Sequence, residues 1–99
     1  MRREMRLLVE VELDGRAIGF EYGFLLSHLD GDADWHVVLL RVPPADMLCV
    51  GADPEADCAL VALTLEGECL VGGARALPFR SAPDGLRLIG TSPLKREDD

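Results

Sequence analysis

The sequence lacks several features that would identify a function directly. It has a single lysine, Lys95, and its nine arginines are scattered rather than clustered. It contains neither a glycine-rich phosphate loop nor the nucleophile elbow of a hydrolase. Its apolar runs fall short of the roughly 18–20 residues that a membrane-spanning helix requires. The sequence therefore predicts no nucleotide site and no membrane span, and it argues against direct nucleic-acid binding, which needs a basic surface.

The three cysteines do not form a metal-binding or disulfide pattern. Cys49, Cys58 and Cys69 lack the short spacing of a zinc site, and each has apolar neighbours. An odd number of cysteines also argues against a disulfide framework. We expect them to act as small hydrophobic residues, and we predict no cofactor and no metal.

The amino terminus does not resemble a secretion signal. Residues 1–6 are basic, but Glu10 and Glu12 stand where a signal peptide has its apolar region. We therefore expect a cytoplasmic protein. Its 99 residues suit one domain. The sequence predicts a single β-rich domain over 1–94 and a flexible charged tail over 95–99.

The best-supported element is an amino-terminal hairpin. Apolar residues alternate with polar ones over 5–13 and again over 18–26, and Asp14-Gly15 between them is a preferred two-residue turn. The turn sets the register: Leu13 faces Arg16, Val11 faces Ile18, Val9 faces Phe20, Leu7 faces Tyr22 and Met5 faces Phe24. The hairpin is therefore expected to carry one continuous apolar face.

Turn signals at short intervals divide the rest of the chain into further strands. We expect a central strand over 35–42, apolar on both faces, a short strand over 47–50, a hairpin of 58–65 with 68–71, and final strands over 74–79 and 86–89. A helix over 54–65, with Pro54 in its first position, is the alternative for that segment. The predicted fold is a small antiparallel β barrel or sandwich of about 6–8 strands, all-β or β-rich α+β.

The negative charge is concentrated in the middle of the chain. Residues 30–74 contain nine acidic residues and one basic residue, Arg41, a net charge of −8 that equals that of the whole chain. If consecutive strands form a meander, the loops over 30–34 and 51–57 share one end of the sheet. That end would carry the predicted partner-binding residues: Asp30, Asp32, Asp34, Trp35, Asp53, Glu55 and Asp57.

Two groups of residues in this region resemble metal sites in part. Asp30, Asp32 and Asp34 resemble the start of a calcium loop, but Trp35 and Arg41 replace its glycine and its bidentate glutamate. His28 and His36 flank the same loop and could approach each other across a hairpin. Solvated loop carboxylates and histidines at strand ends are the favoured interpretation of both.

The sequence favours a small acidic, non-catalytic protein-binding module whose acidic loops attract a basic protein partner. The alternatives are a nucleic-acid-mimicking inhibitor of a DNA- or RNA-binding protein and, least favoured, a small ligand-binding barrel or enzyme. Long strands that are apolar on both faces also leave room for a homodimer interface.

Overall fold

A computed structural model describes residues 3–28, 34–51, 57–78 and 84–97, which form eight strands and one helix. In chain order these are β1 (Arg3–Leu13), β2 (Arg16–Ile18), β3 (Tyr22–His28), β4 (Trp35–Leu40), α1 (Pro44–Gly51), β5 (Asp57–Thr64), β6 (Cys69–Pro78), β7 (Leu86–Gly90) and β8 (Lys95–Arg96).

Six of the strands close into an antiparallel barrel in the order β1-β3-β4-β7-β6-β5, and β5 pairs with β1 to complete the ring. The two short strands are additions to it: β2 pairs with β1, and β8 pairs with β6. The predicted fold class, a small antiparallel barrel with one short helix, is confirmed. The helix lies elsewhere in the chain than predicted.

The turn of the first hairpin forms as the Asp-Gly pair predicts. Asp14 has φ 52° and Gly15 has φ 82°, which are the two positive φ angles that a type I′ turn requires. Leu13 pairs with Arg16 and Val11 with Ile18, which confirms the register next to the turn.

Further from the turn, the predicted register is wrong by two residues. Leu7 pairs with Phe24 and Met5 with Leu26, because Gly19 to Glu21 leave the ladder between β2 and β3. The amide of Gly19 donates instead to Asp46 Oδ2 at 2.8 Å. The Asp46 side chain of α1 thus accepts the hydrogen bond that the Gly19 amide does not make within the sheet.

A β-bulge at Val9 also divides the apolar face predicted for β1. The pairing of β1 with β5 shifts between Leu8 and Glu10, which leaves Val9 as an extra residue. Leu8 and Val11 therefore both point into the barrel, whereas Met5 and Leu7 point outward and are exposed. The expected single apolar face is wrong: β1 contributes to the core with its carboxyl-terminal half and to the exterior with its amino-terminal half.

The later strands follow the prediction with fewer breaks than expected. The β5–β6 hairpin turns at Glu66-Gly67, where Gly67 has φ 93°. The segments 68–71 and 74–79 were expected to be separate, but β6 is one strand over Cys69–Pro78. Lys95–Arg96, expected to begin a flexible tail, pair with β6 as β8.

The helix occupies residues predicted to be a strand. Helix α1 begins at Pro44 and places Asp46 in its first turn, so the strand expected over 47–50 is wrong. Pro suits the first helical position because its missing N–H has no partner there, and an acidic residue suits the positive end of the helix dipole. Residues 57–64 form β5, which excludes the alternative helix over that part. Residues 54–56 lie outside the described residues.

The barrel is narrow, and aromatic side chains fill its two ends. Trp35, at the start of β4, is 2% exposed, and its Nε1 donates to the carbonyl of Ser92 at 2.7 Å. Its indole lies against Gly90, where an added Cβ would overlap it, and close to Gly72, where an added Cβ would lie 3.1 Å from Cζ2. Phe20 covers Gly23 in the same way, near Leu39 at the other end of β4.

Replacing Gly90 with alanine should destabilise the barrel by about 1–3 kcal/mol, the usual cost of overpacking a core. The added Cβ would overlap the Trp35 indole. Urea unfolding followed by Trp35 emission measures the change and should also show an altered native spectrum. Gly67→Ala is the control, since a Cβ there meets nothing within 4 Å and only its φ of 93° is strained. It should leave the native spectrum unchanged. An unchanged midpoint for Gly90→Ala would contradict the packing of Trp35 on Gly90.

Candidate interaction surface

Asp34 and Asp57, which the sequence placed at one acidic end, lie at opposite ends of the barrel. Asp34 precedes β4, whose first residue, Trp35, pairs with Ser27 near the end of β3. Asp57 begins β5, and Leu60 pairs with Leu13 at the end of β1. Since β1 and β3 are antiparallel, these two points lie at opposite ends. The expected meander included a strand over 47–50 that crosses the barrel once. Because this segment is a helix instead, the chain makes one crossing fewer, and β5 starts at the opposite end.

Four of the predicted partner-binding residues lie outside the described residues: Asp30, Asp32, Asp53 and Glu55. Of the remaining three, Asp34 and Asp57 are exposed. Trp35 is enclosed in the core, so its side chain offers no surface to a partner, and it serves the fold instead. The indole at a loop–strand junction, which suggests a contact residue in the sequence, is explained by its packing on two glycines.

Arginines compensate many of the acidic side chains in the described part of the chain. The ion pairs are Arg16–Asp46, Arg41–Glu21, Arg75–Asp57, Arg6–Glu4, and Glu68 with both Arg6 and Arg96. These pairs lie on several strands and on α1, so positive and negative side chains are mixed on the described surface. Outside these pairs, Glu10, Glu12 and Asp14 are exposed at alternate positions at the end of β1 and in the turn that follows it.

Glu68 and Asp46 are the two most enclosed of these carboxylates, and Glu68 connects β8 to the barrel. Arg6 Nη1 lies 3.4 Å from Oε1, and Arg96 Nη2 lies 2.9 Å from the buried Oε2 without the geometry of a hydrogen bond. Beside it, the thiol of Cys69 donates to Glu97 Oε2 at 2.7 Å. A shallow surface depression is lined by Gly67, Glu68, Cys69, Arg96 and Glu97. Because its carboxylates already interact with arginines or with the Cys69 thiol, this cluster stabilises the attachment of β8 to the barrel.

Glu68→Gln should loosen β8, because a neutral amide cannot balance two guanidinium groups. We expect a loss of about 1–2 kcal/mol, above the ~0–1 kcal/mol of an exposed pair because Glu68 is largely enclosed. Hydrogen exchange at the amide of Glu97, which donates to the carbonyl of Cys69 at 3.0 Å, reports the effect. Glu66→Gln, an exposed position in the same turn, should change neither quantity. Equal exchange in the two variants would show that Glu68 does not hold β8.

The described residues offer few elements of catalytic or metal chemistry. Among them, no group of three or more His, Cys, Asp and Glu side chains could hold a metal ion. Cys58 and Cys69, expected to be buried, are half-buried, and neither forms a disulfide. The calcium-like loop over 30–34 lies outside the described residues except for Asp34. Within the described ranges, no helix is long and apolar enough to cross a membrane.

The main surface feature is an uncovered apolar area on the outside of β1, β3 and β4. Because side chains alternate along a strand, the residues next to the buried Leu25, Val37 and Leu39 point outward. We call this area the outer apolar face, and its members are Met5, Leu7, Tyr22, Phe24, Leu26, His36, Val38 and Leu40.

The strand pairing makes this face continuous. One row joins Met5, Leu26 and His36 across the three strands, and the next joins Leu7, Phe24 and Val38. A third row pairs Tyr22 with Leu40. Met5 is 62% exposed, Tyr22 49% and Leu7 45%, and the other members are half-buried by their neighbours in the sheet. Helix α1, which could shield a sheet, packs against β6 instead.

Arg41 and Tyr22 border the face where β4 ends. The Arg41 guanidinium lies 6.0 Å from the centre of the Tyr22 ring and donates to Glu21 Oε2 at 3.0 Å. Arg41 also has φ 58°, a left-handed conformation that is rare for a residue with a long side chain. The strained backbone thus holds a largely exposed arginine beside an exposed tyrosine, two residue types that are enriched in the energetic centres of interfaces.

This face was not predicted from the sequence, because alternation in the first hairpin placed Met5, Leu7 and Phe24 on its core side. One available signal was the strand over 35–42, which is apolar on both sides although a barrel buries only one. His36 belongs to this surface, and the suggested approach of His28 to it involves a side chain outside the described ones.

Comparison with known proteins adds no family: no family model, curated protein or solved structure matches this chain.

Proposed function

We propose that this chain is a non-catalytic protein-binding module and that it binds through the outer apolar face rather than through acidic loops. The single observation that carries the proposal is that face, eight contiguous side chains on three strands with no Lys, Arg, Asp or Glu among them. Exposed apolar patches of this kind on small proteins typically mark interaction sites.

The composition of the face supports protein binding over other roles. Protein interfaces are enriched in Tyr, Phe, Met and Arg and depleted of Lys, Glu and Asp at their centres. Tyr22, Phe24 and Met5 lie on the face, and Arg41 borders it. The barrel interior, by contrast, is filled by leucines, valines and alanines together with Trp35, which leaves little room for a small ligand.

The basic-partner proposal is less well supported, because the loops that would attract such a partner attach at opposite ends of the barrel. The nucleic-acid mimic is weaker still, since five of the described acidic residues are paired with arginines. Both alternatives predict binding that falls with ionic strength, whereas an apolar contact persists when charges are screened.

Capture of a bound protein from the source cells, with the tagged full chain as bait, should be lost on Leu7→Lys and retained on Leu48→Lys. The two leucines are exposed on β1 and on α1, so the same charge is added without disturbing the core. Leu48 lies outside the face, which makes it the matched control.

The same assay at low and high salt tests the charge-based alternatives. Capture should survive high salt, and it should survive replacement of Asp30, Asp32 and Asp34 by asparagine. Loss of the captured protein in the asparagine variant, or release by salt alone, would assign binding to the acidic loops instead. Equal capture by the Leu7 and Leu48 variants would remove the outer apolar face from the function.

A further inference from the structure

We propose that the amino-terminal half of β1 binds an extended segment of a partner protein by strand addition, with the segment lying beside Met5 in line with β5. This inference rests on the proposed function, because β1 forms one margin of the outer apolar face and strand addition states how that face holds its partner.

β1 has an open edge where β5 ends. The ladder between the two strands stops at Leu8, and the next residue after β5, Leu65, donates its amide to the carbonyl of Leu7 at 2.8 Å. The chain then turns at Gly67 and returns as β6 on the far side of β5. Within the described ranges, no strand continues the line of β5 beyond Leu65, so residues 3–6 of β1 pair with β3 alone.

The hydrogen bond to Leu7 shows which main-chain groups face the open edge. In an antiparallel strand, the N–H and C=O of one residue point to the same side, and residues two apart point alike. Since the carbonyl of Leu7 points towards β5, the N–H and C=O of Met5 and Arg3 point that way too, beyond the end of β5. The edge therefore offers main-chain donors and acceptors at the spacing of a strand, which another extended chain can satisfy.

Exposed apolar side chains surround this edge. Met5 is 62% exposed, Leu65 64%, Val9 46% and Leu7 45%. Leu7 and Leu65 lie opposite each other, and Met5 is the next residue of β1 on the outward side. A residue added opposite Met5 would point outward with it and pack between the Met5 and Leu65 side chains, which gives the added strand apolar contacts as well as hydrogen bonds.

The position determines the chemistry of the segment. Its residue opposite Met5 is apolar, because it packs among exposed apolar side chains. The residue next to it points to the other side of the strand, where Arg6 is paired with Glu4 and Glu68, so a polar residue suits that place. An extended segment in which apolar and polar residues alternate meets both conditions. An amphipathic helix would leave the N–H and C=O of Met5 without partners, so it fits less well.

Two other strands with a free edge are protected against such pairing. β2 has three residues, and its Arg16 is paired with Asp46 of α1. β8 consists of Lys95 and Arg96 alone. Short strands with charged side chains are a common means of preventing unwanted strand pairing. The open edge of β1 differs from both, since its outward side chain at Met5 is apolar and exposed.

Hydrogen exchange on the purified full chain tests the open edge. The amide of Met5 should exchange without protection, because it faces the side where β5 has ended. The amide of Arg6 faces β3 and should be protected by its pairing with Leu25. Equal exchange at the two amides would overturn the inference.

Selection from a phage-displayed library of linear peptides tests the occupant. With the wild-type chain as bait, peptides in which apolar and polar residues alternate should be enriched. An enriched peptide, made synthetically, should bind Met5→Pro about tenfold more weakly or worse, because proline removes one hydrogen bond and leaves a carbonyl of the peptide unpaired. Met5→Pro should still fold, since the lost N–H has no role in the sheet and edge strands accept proline.

Ala17→Pro is the matched control. Leu13 and Arg16 flank the two-residue turn and exchange hydrogen bonds, so the N–H of Ala17 faces the free edge of β2. This variant should bind the peptide as wild type does, and thermal unfolding should show that both proline variants fold. In the wild-type chain, the bound peptide should slow exchange of the Met5 amide. No enriched peptide, equal binding by the two variants, or an unchanged Met5 amide overturns strand addition.

The two proposals fail separately. A captured protein that is lost on Leu7→Lys but retained on Met5→Pro keeps the proposed function and refutes strand addition. If neither variant changes capture, both proposals are refuted.

Discussion

The closure of six strands on β1 is the constraint from which the rest of this structure follows. β1 pairs with β3 along its amino-terminal half and with β5 along its carboxyl-terminal half, so it must bend between two neighbours. The bulge at Val9 provides the bend, and one extra residue exchanges the two faces of the strand. Val11 and Leu13 remain in the core, whereas Met5 and Leu7 emerge on the outside. Met5 and Leu7 thus join the outer apolar face as a consequence of the bend that closes the barrel.

Structural features that depend on neighbouring residues were predicted correctly from the sequence, whereas features that depend on residues distant in the chain were not. Asp14-Gly15 specifies its turn and the adjacent register by backbone preference alone, and both are correct. Three further apolar pairs, beyond Val11 with Ile18, were predicted from alternation, but alternation is equally consistent with pairs shifted by two residues. The actual shift depends on Asp46, which lies in α1 and bonds to the amide of Gly19. No pattern within the first 28 residues records that contact.

The helix shows a similar competition between two equally good local signals. Pro54 followed by Glu55 and Pro44 followed by Asp46 both satisfy the preferences of a helix start. The strand 57–64 is needed to close the ring between β1 and β6, so the chain between β4 and β5 must return outside the sheet, where α1 begins at Pro44. The position of the helix then determines at which end β5 starts. Because a helix replaces the strand expected over 47–50, Asp34 before β4 and Asp57 in β5 lie at opposite ends of the barrel.

The charge of the chain and its apolar face act at different ranges. A net charge of −8 is felt over about a Debye length, ~8–10 Å at ordinary ionic strength, and it opposes unspecific association of the barrel with itself. Burial of apolar side chains acts only on contact and grows with the area removed from water. The outer apolar face has no Lys, Arg, Asp or Glu in its three rows, so the net charge opposes contact there less than contact elsewhere on the chain. Under the proposed function, the net charge limits unspecific association, and the rows of β1, β3 and β4 select the partner.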